Sequence, residues 1–358
     1  MAGTAVDWAL AERVAIRAAG NDPFARSYHA DSLQADFLEL TTQAEAQVSE
    51  ATGLTSLAGP ARARVDDRGD WIRANIASFQ RLLRPVTNRL EEKMGDGGLM
   101  APVARRVAGA EVGAMLGWMS GRVLGQYDLL VIEDEDPDDQ DLVHYVGPNI
   151  LALEKKYAFP PREFRLWLAL HEVTHRMQFT GIPWMREHFL GLVNGVVSVV
   201  DEDPTQLLGA LVRASEEIRN GRNPLDDGGI AALFTTTSQR ELMEHIGGLM
   251  SLLEGHGDVT MDRAGADEIP NAVRFGQVLR QRRQQGSPVV KVVQKLIGLE
   301  AKLKQYEQGE RFIEAVEAAG GPQQLERAWA DPANLPTLAE IRAPDTWLAR
   351  VGAVEPAA

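Results

Sequence analysis

Apolar residues recur at helical spacing through the first 125 positions of the chain, which predicts that this part is mainly helical. Leu33, Phe37 and Leu40 form one such stripe. A second apolar stripe consists of Trp71, Ile72, Ile76, Phe79, Leu82 and Leu83. A third series consists of small residues, namely Ala108, Gly109, Gly113, Gly117 and Gly121. Because small residues let a neighbouring helix approach closely, we expect the last series to belong to a tightly packed core helix.

The pattern changes to short segments of β-branched and aromatic residues near the middle of the chain. Residues 127–132 and 142–146 have this composition and are separated by an acidic turn, so they predict two strands of a small sheet. Residues 161–179 contain no glycine or proline after the first position and are apolar on nearly every side. They predict a buried helix, which the Gly-Ile-Pro sequence at 181–183 ends.

Two more helices are predicted in the second half of the chain, at about 238–255 and about 289–319. The first carries an apolar face and the second has apolar residues at coiled-coil-like spacing. The end of the chain from Gly320 is rich in proline and alanine, and we expect it to pack loosely. Two strands among many helices predict an α+β chain that is mainly α-helical.

Composition narrows the chemistry that this fold can carry. Apolar residues make up 44% of the 358 positions, which is enough for a sizeable core. The net charge of −14 repels phosphates, so we expect no nucleic-acid partner. There is no cysteine, so a metal site must use histidine and carboxylate ligands. We find neither a signal peptide nor a segment suited to span a membrane, and we expect a cytoplasmic protein without a membrane partner.

The candidate chemistry lies inside the predicted helix at 161–179, where residues 171–175 spell His-Glu-Val-Thr-His, an HExxH motif. Side chains at positions i and i+4 of a helix point the same way, so His171 and His175 can reach one zinc ion at about 2.0–2.1 Å. Glu172 lies on an adjacent part of the helix, where it can reach a water on the metal but not the metal itself. The alternative is two hydrogen-bonded core histidines beside an exposed glutamate.

A catalytic zinc site needs a third protein ligand as well as an open position. The metzincin pattern would place a glycine at 178 and a histidine at 181, whereas the chain has Gln178 and Gly181. The third ligand must therefore come from elsewhere. We predict Glu254, because Gly255 and Gly257 near it have no side chains to obstruct a close approach to the helix that carries His171 and His175.

Four other residues compete with Glu254 for this role, and they are Glu241, Glu244, His245 and His256. If the helix continues beyond residue 255, Asp258 lies one turn after Glu254 and could accept a hydrogen bond from a ligand imidazole. Otherwise Glu254 is an exposed helix-end residue and Asp258 begins the next turn.

Three residues are candidate donors to an oxyanion or to a substrate. His188 and His256 could donate from an imidazole, although each is more often a polar residue that is satisfied within the fold. Tyr306 could donate from its phenol. However, Tyr306 also continues the apolar stripe of the preceding helix, so packing in the core is the competing explanation.

Blocks of sequence around these residues resemble a known family, the zincin-like metallopeptidase type 2 group of bacteria and archaea. Some of its members are labelled as associated with deazaflavin-coenzyme biosynthesis. The blocks that carry the resemblance are 71–75, 124–128, 146–149, 164–184, 253–262 and 305–312. The resemblance that these blocks mark out extends over most of the chain, and the blocks together are much more specific than HExxH alone.

The resemblance implies a zincin-like metalloprotease fold with a small sheet and an HExxH helix. His171 and His175 match the metal-binding histidines of the family, and Glu172 matches its catalytic glutamate. Glu254 and Asp258 are similar to the Glu-xxx-Asp pairing of thermolysin-like enzymes, in which the glutamate binds zinc and the aspartate supports a ligand histidine. The expected regions are a helical N-terminal part at 1–120, a zincin-like catalytic core at 121–275 and a helical C-terminal part at 276–358 that packs on the core.

The sequence therefore predicts a Zn²⁺-dependent metallohydrolase with Glu172 as the general base, and it favours a peptidase over other hydrolases. Its expected partner is a peptide or a small amide. Two alternatives stay open: a non-catalytic zincin scaffold with a binding or regulatory role, and a hydrolase of small amides or esters. The oligomeric state does not follow from the sequence.

Overall fold

A computed structural model describes residues 6–22, 24, 27–94, 101–129, 140–202, 237–284 and 299–352 of the protein. These residues are mostly helical and contain one small sheet, which confirms the mainly helical α+β class. The chain divides into two compact units. They are Met1–Met177 with Ala264–Phe275, and Gln178–Arg263 with Gly276–Ala358. The division into three regions stays a prediction.

The elements follow one another in three groups along the chain. The first are α1 (Trp8–Ala19), α2 (Tyr28–Thr52), β1 (Arg62–Asp66), α3 (Arg68–Met94) and α4 (Ala101–Ser120). The next are β2 (Gly125–Tyr127), β3 (Leu142–Val146), α5 (Gly147–Tyr157), α6 (Pro161–Gly181) and α7 (Met185–Glu202). The last are α8 (Thr237–Ala264), α9 (Ala272–Gln284), α10 (Leu299–Gly320), α11 (Pro322–Ala330), a 3₁₀ turn (Pro332–Asn334), α12 (Leu338–Arg342) and α13 (Pro344–Val351).

The sheet of the first unit has the strand order β1-β3-β2, with β1 parallel and β2 antiparallel to β3. The strand predicted at 142–146 is confirmed. The strand predicted at 127–132 is instead Gly125–Tyr127, and residues 130–132 lie outside the described part of the chain. The sheet packs on α2, where Phe37 stacks on Tyr145 with ring centroids 3.9 Å apart.

The small residues of α4 allow it to touch α1 backbone to backbone. A Cβ atom added at Gly109, Gly113 or Gly117 would lie 2.4–2.5 Å from a backbone oxygen of α1 or of the residue before it. Real Cβ atoms essentially never come this close, so glycine is required at this crossing. The prediction of a tightly packed helix is confirmed for these three glycines. Gly121 lies beyond the helix end and does not take part.

Among its described residues, the second unit contains helices and the short connections between them, and no strand. α8 and α10 cross at Gly255 and Gly309, where a Cβ atom on Gly255 would lie 2.3 Å from the carbonyl carbon of Gly309. The helix predicted at 238–255 is longer than expected and ends at Ala264. None of the helices that the structure describes is both long and apolar enough to cross a lipid bilayer.

The expectation of loose packing after Gly320 is wrong. This part of the chain forms α11, the 3₁₀ turn, α12 and α13. Trp347 is fully buried, its ring lies 5.3 Å from that of Phe312, and its indole N–H donates to the carbonyl of Asn334 at 2.7 Å. The prolines begin these short helices rather than breaking them, because proline fits the first helical position where no N–H is needed.

Candidate metal centre

The histidine pair lies on the accessible stripe of an otherwise buried helix. From Phe164 to Gln178, every residue of α6 is buried except His171 and His175. An aromatic cluster fixes the N-terminal half of the helix in the first unit, and it consists of Phe159, Phe164, Trp167 and Phe275. The two imidazoles are thus the side chains through which this stretch of helix can meet a ligand.

The spacing of the two imidazoles suits a shared metal ion. The Nε2 atoms of His171 and His175 are 3.2 Å apart, with the rings at 81° to one another. Two nitrogens bound to one zinc ion at 2.0–2.1 Å with tetrahedral angles would lie about 3.3–3.4 Å apart. A direct hydrogen bond between the rings would need a proton on one Nε2, whereas two zinc ligands both present lone pairs. The observed distance fits the ligand pair.

Glu172 is buried against a glycine of the sheet. It is 8% exposed, so the alternative of an exposed glutamate is excluded. A Cβ atom on Gly125 would lie only 2.6 Å from both Cγ and Oε1 of Glu172. Gly125 pairs with Tyr145 across β2 and β3, so these two residues share the face of the sheet that Glu172 covers.

The phenol of Tyr145 is held in its neutral form beneath this carboxylate. Burial raises the pKa of Tyr145, the hydrogen bond with Thr41 at 2.9 Å lowers it, and the charge of Glu172 raises it. The net effect places the pKa above its usual range, so the phenol stays protonated at neutral pH. Sequence reasoning missed both Gly125 and Tyr145, because the predicted strand began at residue 127 and Gly125 lay outside it; a glycine within a strand often marks a close approach.

In the second unit, Glu254 lies within α8 and is 5% exposed. The helix continues to Ala264, so Glu254 is not an exposed helix-end residue. Asp258 follows one turn later on the same helix and is half-buried. The sequence analysis placed Asp258 one turn after Glu254 only if the helix continued beyond residue 255, and the helix does continue.

Within the described residues, one group of side chains has ligand atoms close enough to hold a metal ion. His171, His175 and Glu254 each offer one atom, and these atoms all lie within 4.8 Å of one another. Two imidazoles and one carboxylate are the donor set of many catalytic zinc sites. The residues present therefore fit zinc.

The four residues that competed with Glu254 do not belong to this group. Glu241 and His245 are exposed on the first turns of α8. The carboxylate of Glu244 accepts the backbone N–H of Ala339 at 3.1 Å. His256 is buried, and its Nδ1 lies 2.9 Å from the amide nitrogen of Gln178.

The candidate donors occupy different elements. His256 on α8 packs edge-on against Trp329, with ring centroids 5.3 Å apart. His188 on α7 is half-buried, and both burial and the neighbouring His245 lower its pKa. Tyr306 lies on α10, and its side chain is outside the described part of the structure.

A buried arginine next to the histidine pair was also missed by sequence reasoning. Arg176 is fully buried and forms ion pairs with Glu45 at 3.0 Å and Asp141 at 2.7 Å. The hydroxyl of Tyr127 donates to the other oxygen of Asp141 at 2.8 Å. The carboxylate of Asp141 therefore connects strand β2, through Tyr127, with the turn of α6 that carries His175, through Arg176.

Comparison with known proteins identifies one solved structure and one family. A solved structure from Chloroflexus aurantiacus, described as a candidate hydrolase with a novel fold, is similar to this chain at 29% identity and a TM-score of 0.70. The match covers 96% of this chain and 98% of that chain. No curated protein matches the chain. The sequence model of the zincin-like metallopeptidases matches residues 6–348. Both findings support hydrolase activity, and the chain belongs to the zincin-like metallopeptidase family.

Proposed function

We propose that this protein is a zinc-dependent peptidase in which His171, His175 and Glu254 hold the metal and Glu172 is the general base. The observation that carries the proposal is the group of three ligand atoms within 4.8 Å, next to a buried glutamate on the same helix. A purely structural zinc site takes four protein ligands and needs no base. Three ligands and a glutamate are the composition of a catalytic site.

A zinc ion bound here would polarise the scissile carbonyl and lower the pKa of a coordinated water. Glu172 accepts the proton of the attacking water at its carboxylate as the water oxygen bonds to the carbonyl carbon. The same carboxyl group then donates this proton to the leaving amine nitrogen as the C–N bond breaks. Gly125 has no side chain and so leaves the space that this carboxylate occupies.

Supporting roles complete the proposed site. Asp258 would accept a hydrogen bond from a ligand imidazole and fix its tautomer, as carboxylates commonly do beside zinc ligands. His256, His188 and Tyr306 are the candidate donors to the oxyanion that forms on the substrate.

The edge of the sheet supports a peptide substrate rather than a small amide. In the described sheet β2 pairs with β3 alone, and the bonds Asp128 N–H to Leu142 O and Val146 N–H to Leu124 O fix its register. Antiparallel pairs alternate, so the N–H and C=O groups of Gly125 point away from β3. An extended peptide can add to such an edge as a further strand. Gly125 would then hold the substrate backbone next to Glu172.

Metal content tests the ligand set. We expect about one zinc per wild-type chain by elemental analysis, and a loss of zinc in His171→Ala and Glu254→Ala. His245→Ala and Glu241→Ala are matched controls, because they remove the same residue types from exposed positions of α8 and should leave zinc unchanged. Zinc retained in Glu254→Ala would remove Glu254 from the ligand set. A wild-type chain without zinc would favour a non-catalytic scaffold.

Turnover tests the mechanism. Wild type is screened against quenched fluorescent peptides, and the best substrate is used for Glu172→Gln, which we expect to keep zinc and lose hydrolysis. Equal rates in the mutant and wild type would contradict the assignment of Glu172. Cleavage of small amides without cleavage of any peptide would favour the alternative hydrolase. The cytoplasmic location and the link to deazaflavin coenzymes stay predictions.

A further inference from the structure

Gln178 is a buried glutamine on α6. Its hydrogen bonds reach residues of α8 before and after Glu254. Gln178 is fully buried. Its amide nitrogen donates to the carbonyl of Leu253 at 3.0 Å and lies 2.9 Å from Nδ1 of His256. These two acceptors are the residue just before Glu254 and the residue two positions after it.

The position of Gln178 on α6 is set by helix geometry. At 100° per residue, Gln178 falls about 20° around the axis from His171 and about 60° from His175. It therefore belongs to the same stripe as the two imidazoles, about 4.5 Å beyond His175 along the axis. The stripe that is accessible at the histidines is buried at Gln178, where α8 covers it in the second unit.

The chemistry of the partners fixes the orientation of the amide. A backbone carbonyl can only accept a hydrogen bond, so the group that faces Leu253 must be the NH₂ of Gln178. The same NH₂ can only donate to His256, so Nδ1 of His256 accepts and its ring proton is on Nε2. Both N–H groups of one amide are thus used to hold a single turn of α8.

We propose that Gln178 is a positioning residue that holds the turn of α8 bearing Glu254 in register with the histidines of α6. This inference rests on the proposed zinc site and adds to it a determinant of metal affinity. Zinc coordination requires ligand distances correct to about 0.2 Å. The two hydrogen bonds of Gln178, to Leu253 before Glu254 and to His256 after it, form a clamp on this turn of α8. This clamp limits sliding of α8, which would lengthen the distance between the carboxylate and the metal.

The test compares two buried glutamines of the second unit. Gln178→Met removes both donors at nearly constant volume. The matched control is Gln324→Met on α11, because Gln324 is also fully buried and donates its amide to the carbonyl of Gly352 at 3.0 Å. Both variants lose a buried hydrogen-bonded amide, so both should unfold at a lower temperature. Only the Gln178 variant should bind zinc more weakly.

Zinc affinity is measured on the metal-free full chain by competition with a fluorescent chelator. We expect the dissociation constant of Gln178→Met to rise about 10–100-fold, the usual effect of losing a group that supports a metal ligand. Gln324→Met should bind like wild type. The visible absorption of Co²⁺ reports ligand geometry, so it should change in Gln178→Met and not in Gln324→Met.

Three results would overturn the inference. Zinc binding in Gln178→Met that equals wild type would show that the clamp does not set affinity. An equal loss in both variants would assign the loss to lowered stability. Wild type that binds no zinc would remove the proposed function together with the inference, a pattern distinct from the other two. If Gln178→Met fails to fold, Gln178→Asn replaces it, since it keeps the amide but shortens its reach, and wild-type affinity there would count against the clamp.

Discussion

Replacing Gly125 by alanine tests the placement of Glu172, the proposed general base, without changing a proposed metal ligand. Gly125 lies on strand β2, and the Cβ atom of an alanine there would be 2.6 Å from Cγ and Oε1 of Glu172 and 2.8 Å from its Cδ. Ordinary van der Waals contact begins at about 3.4 Å. Because the clash is with side-chain atoms and not with backbone, we expect Glu172 to move and the strand to keep its place.

The size of the effect follows from this overlap. The carboxylate must retreat by about 0.8 Å to reach an ordinary contact distance. A misplacement of about 1 Å costs on the order of 10²-fold in rate, which corresponds to about 2.7 kcal/mol of activation free energy. The histidines are not displaced, so zinc content should stay at the wild-type level. We expect kcat to fall with little change in KM, since alanine keeps the backbone N–H and C=O groups that would hold the substrate and the strand keeps its place.

The assay measures hydrolysis of the peptide substrate and zinc content for Gly125→Ala, Glu172→Gln and Gly191→Ala. Gly191 on α7 is the matched control, because a Cβ atom added there meets nothing within 4 Å. Gly191→Ala should keep its activity and gain about 0.4–1 kcal/mol of stability. If Gly125→Ala cleaves as fast as wild type while Glu172→Gln is inactive, the carboxylate does not depend on this contact. That result would refute the positional argument and leave the role of Glu172 intact.

Three further predictions concern stability. Gly113→Val drives a Cβ atom to 2.4 Å from the backbone oxygen of Ala11, so thermal unfolding should show a loss of about 1–3 kcal/mol or more; an unchanged midpoint would contradict the α1–α4 packing. Burial raises the pKa of Glu340, but the hydrogen bonds from Arg350 and Thr337 outweigh it and lower the pKa below its usual value. The stability that this pair supplies is therefore present above about pH 4.5 and lost as the pH falls through the lowered value, and Arg350→Met should weaken that acid dependence in urea unfolding. A chelator should lower the melting temperature of wild type, by the equivalent of about 2.7 kcal/mol at a zinc concentration 100 times Kd, and leave that of His175→Ala unchanged.

The sequence predicted the parts of the fold that depend on local periodicity. The apolar stripes of α2, α3 and α8 and the glycines of α4 all mark helices that the structure contains. The continuous apolar character of residues 161–179 gave a helix of nearly the right length, which ends at Gly181. Each of these signals arises within one element, so neighbours are not needed to recognise it.

Contacts that depend on distant residues could not be predicted in the same way. Strand β1 was missed because its five residues, Arg-Ala-Arg-Val-Asp, contain only two apolar side chains, too few for a clear strand signal without the pairing with β3. The C-terminal helices were missed because a segment rich in proline and alanine was expected to pack loosely, whereas Pro322 and Pro344 begin helices. The role of Gly125 required knowing that β2 lies against α6, a relation that no local pattern contains.

The pattern of burial along α6 is consistent with the different roles proposed for His171, Glu172 and His175. His171 and His175 lie about 40° apart around the axis and share the accessible stripe, while Glu172 lies about 100° from His171, among positions that the fold buries. A carboxylate at that position is expensive to bury unless the sheet leaves room for it and the adjacent site uses its charge. The absent side chain of Gly125 provides the room. In the proposed site, the HExxH spacing therefore supplies two of the ligands, and a small residue on the facing strand leaves the space that the proposed base occupies.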